Sequence, residues 1–179
     1  MVTIIGIDPG LTGAISCIKM NNGELIDISV QDMPIQNKGK EIRKRNKAGV
    51  MTSTQKKEVD PYTLSNILAR NGACIVYIEQ VSAMPDQGVT GVFSFGDSFG
   101  AIRGVCGALG LAMYRVMPRA WKEAVGLIGK DKDAARLLAR QLYPIISNLL
   151  TRKKDIGRAD ALMIAHYGLL EYNNAISNN

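Results

Sequence analysis

Apolar residues come in short blocks broken by Gly, Pro, Asn and charged positions. Residues 2–7 form a β-rich run that ends at Asp8, after which Pro9-Gly10 and Gly13 turn the chain. Residues 14–20 predict a second strand. Asn21-Asn22-Gly23 is a hairpin signal, because the favoured two-residue turns need positions that accept positive φ. Residues 24–33 predict a third strand, with Leu25, Ile26, Ile28 and Val30 in partial alternation. Short turns between the three imply an antiparallel meander. Residues 34–59 break the pattern: apolar residues are few there, which predicts a solvated loop or arm. Asp60-Pro61 then starts a helix, with Asp at the N-cap and Pro at the first helical position, and Asn71-Gly72 stops it. Residues 74–78 are continuously apolar, as in a central strand buried on both faces, and end at Glu79. A polar loop with Pro85 and Gly88 follows. Residues 93–109 predict a helix whose Gly96, Gly100 and Gly104 leave one face almost bare, for close packing on a sheet or a partner helix. Residues 113–117 predict another strand, and Pro118–Ala124, 133–143 and 158–172 predict helices. The order predicts an α/β fold, a mixed sheet of about five strands with helices on its faces.

The chain has 179 residues, which suits one domain, 1–179, with the basic flexible insertion at about 34–59. No apolar stretch reaches the roughly 18 residues needed to cross a bilayer, and no targeting segment precedes the first strand. Cys17, Cys74 and Cys106 each sit in an apolar run without C-x-x-C spacing, so they predict reduced core residues of a cytoplasmic protein. The net charge of +6 is unevenly distributed. Residues 38–57 carry eight cations against Glu41 alone, and residues 103–158 form a second basic block, whereas the remaining segments are net acidic. That division predicts a polyphosphate partner, with a solubilising surface as the alternative.

Three carboxylates stand out by position. Asp8 and Glu79 each close a buried strand, and Asp160 lies in the first turn of a helix that is otherwise apolar. Neighbouring strands would bring the first two to one end of the sheet, where a crossing helix can deliver the third. Singly, Asp8 fits an Asx-turn, Glu79 a strand end and Asp160 a helix-dipole acid. Together they fit a site for hard cations such as Mg²⁺ or Mn²⁺, which prefer oxygen ligands. Two such ions about 4 Å apart can activate water and stabilise the leaving oxygen of a phosphodiester.

Ile4-Ile5-Gly6-Ile7-Asp8-Pro9-Gly10-Leu11-Thr12-Gly13-Ala14 resembles the opening motif of RuvC-type Holliday junction resolvases. Ile75-Val76-Tyr77-Ile78-Glu79 resembles their second acidic motif, and Arg158-Ala159-Asp160-Ala161-Leu162-Met163-Ile164-Ala165 their C-terminal acidic helix. Met84-Pro85-Asp86-Gln87-Gly88, Phe93-Ser94-Phe95-Gly96 and Lys153-Lys154-Asp155 are most similar to the phage and organellar branch. The resemblance implies a ribonuclease H-like fold, a homodimer, and Mg²⁺-dependent cleavage of four-way DNA junctions by paired nicks leaving 3′-hydroxyl and 5′-phosphate ends. It makes Asp8, Glu79 and Asp160 the catalytic metal ligands. The bacterial pattern has a fourth acid three residues before the last, where this chain has Gly157; Asp155 is the nearest substitute, with a helix N-cap as its other reading.

Further expectations follow for DNA contacts. Lys122 and Lys130 come after Pro118-Arg119-Ala120-Trp121, much as the family's DNA-binding lysines follow its fifth strand. Arg152, Lys153, Lys154 and Arg158 flank the acidic site, and Lys44 and Arg45 lie in the first basic block; each fits a phosphate contact or a solvated surface. Phe93 fits either a wedge between base pairs or a packing residue, and packing is the expectation for Phe99. His166 is expected to be structural. A kinase-like ATPase needs a second phosphate loop that is absent here. A branched-DNA-binding protein that does not cut, or a nuclease with relaxed fork and flap specificity, is the alternative to a resolvase.

Overall fold

The computed structural model describes residues 1–80, 82 and 88–178, with the backbone alone for Ile42 and Lys44. Met84, Pro85, Asp86 and Gln87, part of the resemblance, lie outside the described residues. The chain opens with the expected meander, β1 (Val2–Asp8), β2 (Ala14–Asn21) and β3 (Glu24–Asp32). The β2–β3 turn holds Asn22 at φ 49° and Gly23 at φ 85°, the positive values that the Asn-Gly pair accommodates. Two more strands, β4 (Ile35–Arg45) and β5 (Met51–Val59), precede α1 (Pro61–Ala69). Then come β6 (Ile75–Glu79), α2 (Val89–Ala108), β7 (Ala112–Val116), α3 (Pro118–Ala124), α4 (Ala134–Leu142) and α5 (Ile156–Ser177). The main sheet runs β3-β2-β1-β6-β7, antiparallel through the meander and parallel from β1 to β6 to β7. This is the mixed five-stranded sheet expected of a ribonuclease H-like fold.

One expectation is corrected. Residues 34–59 are not a loop: β4 and β5 form a separate two-stranded antiparallel sheet, in register from Ile35↔Val59 to Arg45↔Met51 with an irregularity between Lys38 and Ile42. Both faces carry polar side chains, so no alternation of apolar and polar residues marks the strands. Asp60 caps α1 as the sequence implied, its carboxylate accepting from the backbone N–H groups of Tyr62 (3.0 Å) and Thr63 (3.2 Å).

The strands of the main sheet divide the core in two. Ile4 and Ile18 pack with Trp121, Leu162, Met163 and Leu169 on the α5 face, while Ile5, Ile7, Val76 and Ile78 pack with Leu64, Leu68, Ile102 and Cys106 on the α1–α2 face. The three cysteines are buried and unpaired. At Gly6 the strand meets α5 without an intervening side chain: a Cβ there would lie 2.2 Å from the Ala161 carbonyl oxygen and 2.4 Å from the Ala165 nitrogen. Ser16 on β2 reinforces the contact by donating to the same Ala161 oxygen at 2.7 Å. The seam of backbone contact fixes α5, and therefore Asp160, against the strand that ends in Asp8. In α2 the small-residue face does not pack on the sheet. Gly96, Gly100 and Gly104 are exposed with open space where a Cβ would stand, and Ser98, Ile102 and Cys106 are the buried positions.

Candidate active site

Parallel pairing of β1 and β6 puts Ile7 beside Ile78, so Asp8 and Glu79 emerge together at one end of the sheet. The seam at Gly6 adds Asp160 from the first turns of α5. All three are half-buried. Burial pushes the Asp160 carboxyl up to about 7, with the negative charges of Asp8 and Glu79 adding to the effect. Asp8 is pushed up to about 6, again by burial first and by Glu79 second, with the Gly10 N–H and Lys122 opposing. The three carboxylates therefore sense one another, and the site holds more negative charge than its surroundings stabilise.

Lys122 on α3 partly offsets that excess, lowering both Asp8 and Asp160 electrostatically. Its ammonium lies 5.1 Å from the ring centroid of Trp121. Trp121 is fully buried, and its indole Nε1–H donates to Glu79 Oε1 at 2.8 Å. The partner of Trp121 lies 42 residues away, so no local spacing in the sequence signals the contact. Lys130 joins Lys122 and Asp160 along a cleft of about 250 Å³. A larger cleft of about 720 Å³ runs along Asp8 and Asp160 past Arg152, Lys153 and Lys154. The expected cations at 122, 130 and 152–154 thus border the acidic end of the sheet.

Other expected site residues are engaged differently. Asp155 is buried and spends both carboxylate oxygens on Arg152: Oδ2 accepts from its backbone N–H at 2.8 Å, and Oδ1 from Nη2 at 2.8 Å and Nε at 3.1 Å. These bonds hold its carboxyl below the ordinary range and close the turn that leads into α5. It also lines the larger cleft together with Asp8 and Asp160. Arg158 is likewise not turned out to phosphate. Its Nε and Nη2 grip Asp32 at 2.6 and 2.8 Å, and its Nη1 donates to the Leu149 carbonyl at 3.2 Å. Asp32 is a carboxylate that sequence reasoning missed, although it too closes a strand, and it lines the larger cleft. Arg45 is exposed near the far end of the β4–β5 hairpin, and the Lys44 side chain lies outside the described residues. Phe93 is 72% exposed, whereas Phe99 packs against the core as expected. His166 is structural: its Nδ1 shares a 2.7 Å hydrogen bond with the Tyr143 hydroxyl.

Gly157, which stands where a fourth acid was sought, is closed to side chains. A Cβ would lie 2.5 Å from the Thr12 carbonyl oxygen and 3.3 Å from Asp8 Oδ2. The donor set is all-oxygen and anionic, which fits a hard divalent cation. Among the described residues, no three His, Cys, Asp or Glu side chains are already gathered round a single point. Asp8, Glu79 and Asp160 are the residues that would have to converge on the ion.

No family model matches the chain. Over 102 residues it is 37% identical to the chloroplastic Holliday junction resolvase MOC1 of Chlamydomonas reinhardtii. The match takes in 56% of this chain and 12% of that much longer protein. Among solved structures, RuvC of Thermus thermophilus superposes with a TM-score of 0.56 at 18% identity, covering 97% of both chains. The same protein in complex with a Holliday junction substrate gives 0.61 at 15% identity, covering 98% of this chain and 97% of that one. The yeast mitochondrial Holliday junction resolvase Ydc2 gives 0.51 at 13%, covering 98% and 83%. The resemblance drawn from the ordered acidic motifs is borne out: the chain has the ribonuclease H-like fold of RuvC-type resolvases and is a sequence relative of one Holliday junction resolvase.

Proposed function

We propose that the protein is a divalent-metal-dependent endodeoxyribonuclease that resolves four-way DNA junctions by paired symmetric nicks. The observation that carries this reading is that Asp8, Glu79 and Asp160, from two strand ends and a helix, lie at one end of the sheet beside clefts bordered by lysines and an arginine. Mg²⁺ is the proposed ion, with Mn²⁺ able to substitute. When bound by these three carboxylates, it supplies charge neutralisation, an activated water and stabilisation of the leaving oxygen. The chain's own groups prepare the site. Trp121 holds one Glu79 oxygen, while Lys122 limits the repulsion between Asp8 and Asp160. Lys122, Lys130, Lys153 and Lys154 take the phosphate backbone, and the exposed Phe93 is the candidate wedge at the branch point. Paired nicks need two such sites. The bare glycine face of α2 supports a homodimer in which two helices approach closely. Three buried thiols support a reducing, cytoplasmic setting.

The test is incubation of a synthetic four-way junction with the protein and Mg²⁺. The expected result is a symmetric pair of nicks, lost in Asp8→Asn. Equal cleavage by parent and variant would refute the assignment. The closed position at Gly157, where the bacterial pattern has an acid, favours a second reading, a branched-DNA-binding protein that does not cut. Tight junction binding without nicking under Mg²⁺ or Mn²⁺ would select it. Cleavage of forks and flaps as readily as four-way junctions would indicate relaxed specificity.

A further inference from the structure

The β4–β5 hairpin is densely charged, with eight cations between residues 38 and 57, and the acidic site does not use them. Lys40, Arg45, Lys47, Lys56 and Lys57 are all exposed, and none has a carboxylate in ion-pair range among the described residues. Register places Lys38 directly opposite Lys56, an arrangement of like charges that costs stability unless a counter-charge is supplied. Of these two, Lys38 receives one from the protein. It pairs with Glu58 of the same hairpin at 3.2 Å and with Asp97 at 2.6 Å. Asp97 belongs to α2, so this second bond ties the ribbon to the helix that carries Phe93. At its base the hairpin reaches the acidic cleft, which Met33 and Ile35 help to line. Its nine-residue second strand extends about 30 Å from there, close to one turn of B-form duplex.

We infer that the hairpin is a second nucleic-acid contact, which lies along one duplex arm of the substrate and is aimed by the Lys38–Asp97 bond. The inference rests on the nuclease reading and adds to it a requirement for arm length. A two-stranded ribbon fits a major groove or tracks the backbone beside it, and the unpaired cations supply contacts to successive phosphates. Arms that end short of a full turn leave the tip of the hairpin without a partner.

The experiment measures binding of labelled four-way junctions by fluorescence anisotropy in EDTA, across a salt series, with arms of about 8 or about 20 base pairs chosen to fall short of or exceed one turn. The triple variant Lys40→Ala/Arg45→Ala/Lys47→Ala should bind the long-armed junction at least tenfold more weakly. Its log K against log salt should be shallower by about 2–3, at roughly 0.9 per lost contact. On short arms, which reach Lys40 but not the tip, the loss should be several-fold smaller. The charge-conserving triple Lys40→Arg/Arg45→Lys/Lys47→Arg should bind as the parent does, which separates charge from folding. Unchanged affinity and slope on long arms, or an equal loss on both arm lengths, would overturn the proposal. Asp97→Asn gives a test of sign. Removing an anion should tighten DNA binding if only charge matters and weaken it if the bond aims the hairpin, so tighter binding refutes the aiming role. A parent that neither binds nor nicks a junction would defeat the nuclease reading and this one with it. A parent that nicks while the alanine triple is unaltered defeats this one alone.

Discussion

The excess negative charge at the acidic end of the sheet should appear as instability that rises with pH. Asp160 goes from an ordinary 3.8 to about 7 in the folded protein, and Asp8 to about 6. A carboxyl raised in this way binds more protons folded than unfolded. Its contribution is fully favourable below pH 3.8 and is lost as pH rises through the folded value. Above pH 7 the cost of keeping Asp160 ionised in place is about 4 kcal/mol, at about 1.4 kcal/mol per tenfold change in proton affinity. Part of that cost is repulsion shared with Asp8 and Glu79, and such energies do not add. A change of about 2 kcal/mol is therefore the working figure for Asp160→Asn, which keeps the shape and removes the charge. For a domain of this size it corresponds to a rise in Tm of roughly 4–8 °C at pH 8 without divalent metal. At pH 5 the difference should shrink to within a few degrees. Addition of Mg²⁺ should raise the parent's Tm more than the variant's, because the ion stabilises the state that binds it. Thermal unfolding followed by circular dichroism at the two pH values, with EDTA or Mg²⁺, measures all of this. A variant whose Tm lies below the parent's at pH 8, or above it by the same amount at pH 5, would refute the argument.

Other substitutions separate scaffold from chemistry. Gly6→Ala forces a methyl group into the α5 backbone and should cost about 3 kcal/mol or more in urea unfolding, beyond the usual penalty for overpacking a side chain. Trp121→Phe keeps an aromatic ring in the core but removes the N–H donor to Glu79. Single-turnover cleavage should fall about tenfold, the worth of one hydrogen bond to a charged group, with junction affinity unchanged. Gly157→Glu, which restores an acid at the bacterial position, should reduce both stability and cleavage, because the Thr12 carbonyl already occupies its space; a gain in cleavage would show that the β1–β2 turn yields.

What was legible in the sequence follows from how the signals arise. β1 and β6 announce themselves because strands buried on both faces carry few polar residues, and an acid at the end of such a strand is conspicuous. The capped start of α1 is legible for a similar local reason. The hairpin of residues 35–59 is not, because strands with both faces in water show no period. Contacts between distant positions are equally hidden: Trp121 to Glu79, and Arg158 to Asp32 across 126 residues. Asp155 is a case of a different kind. Its position near Asp160 in sequence suggests a shared site, and it does line the same cleft as Asp8 and Asp160, but the arginine three residues before it, invisible as a partner in the sequence, takes up both oxygens.

The seam between Gly6 and α5 also bears on how this protein can change over time. The separation of Asp8 from Asp160 is set where two backbones touch, so the positions that protect the acidic site include some with little or no side chain of their own. Exposed cations of the hairpin can drift singly, each loss being partial. Gly6 has no such latitude, since any added atom there meets the backbone of α5. An inventory of chemically reactive residues would pass over it, yet the tolerance of the chain to substitution should be narrow at this position.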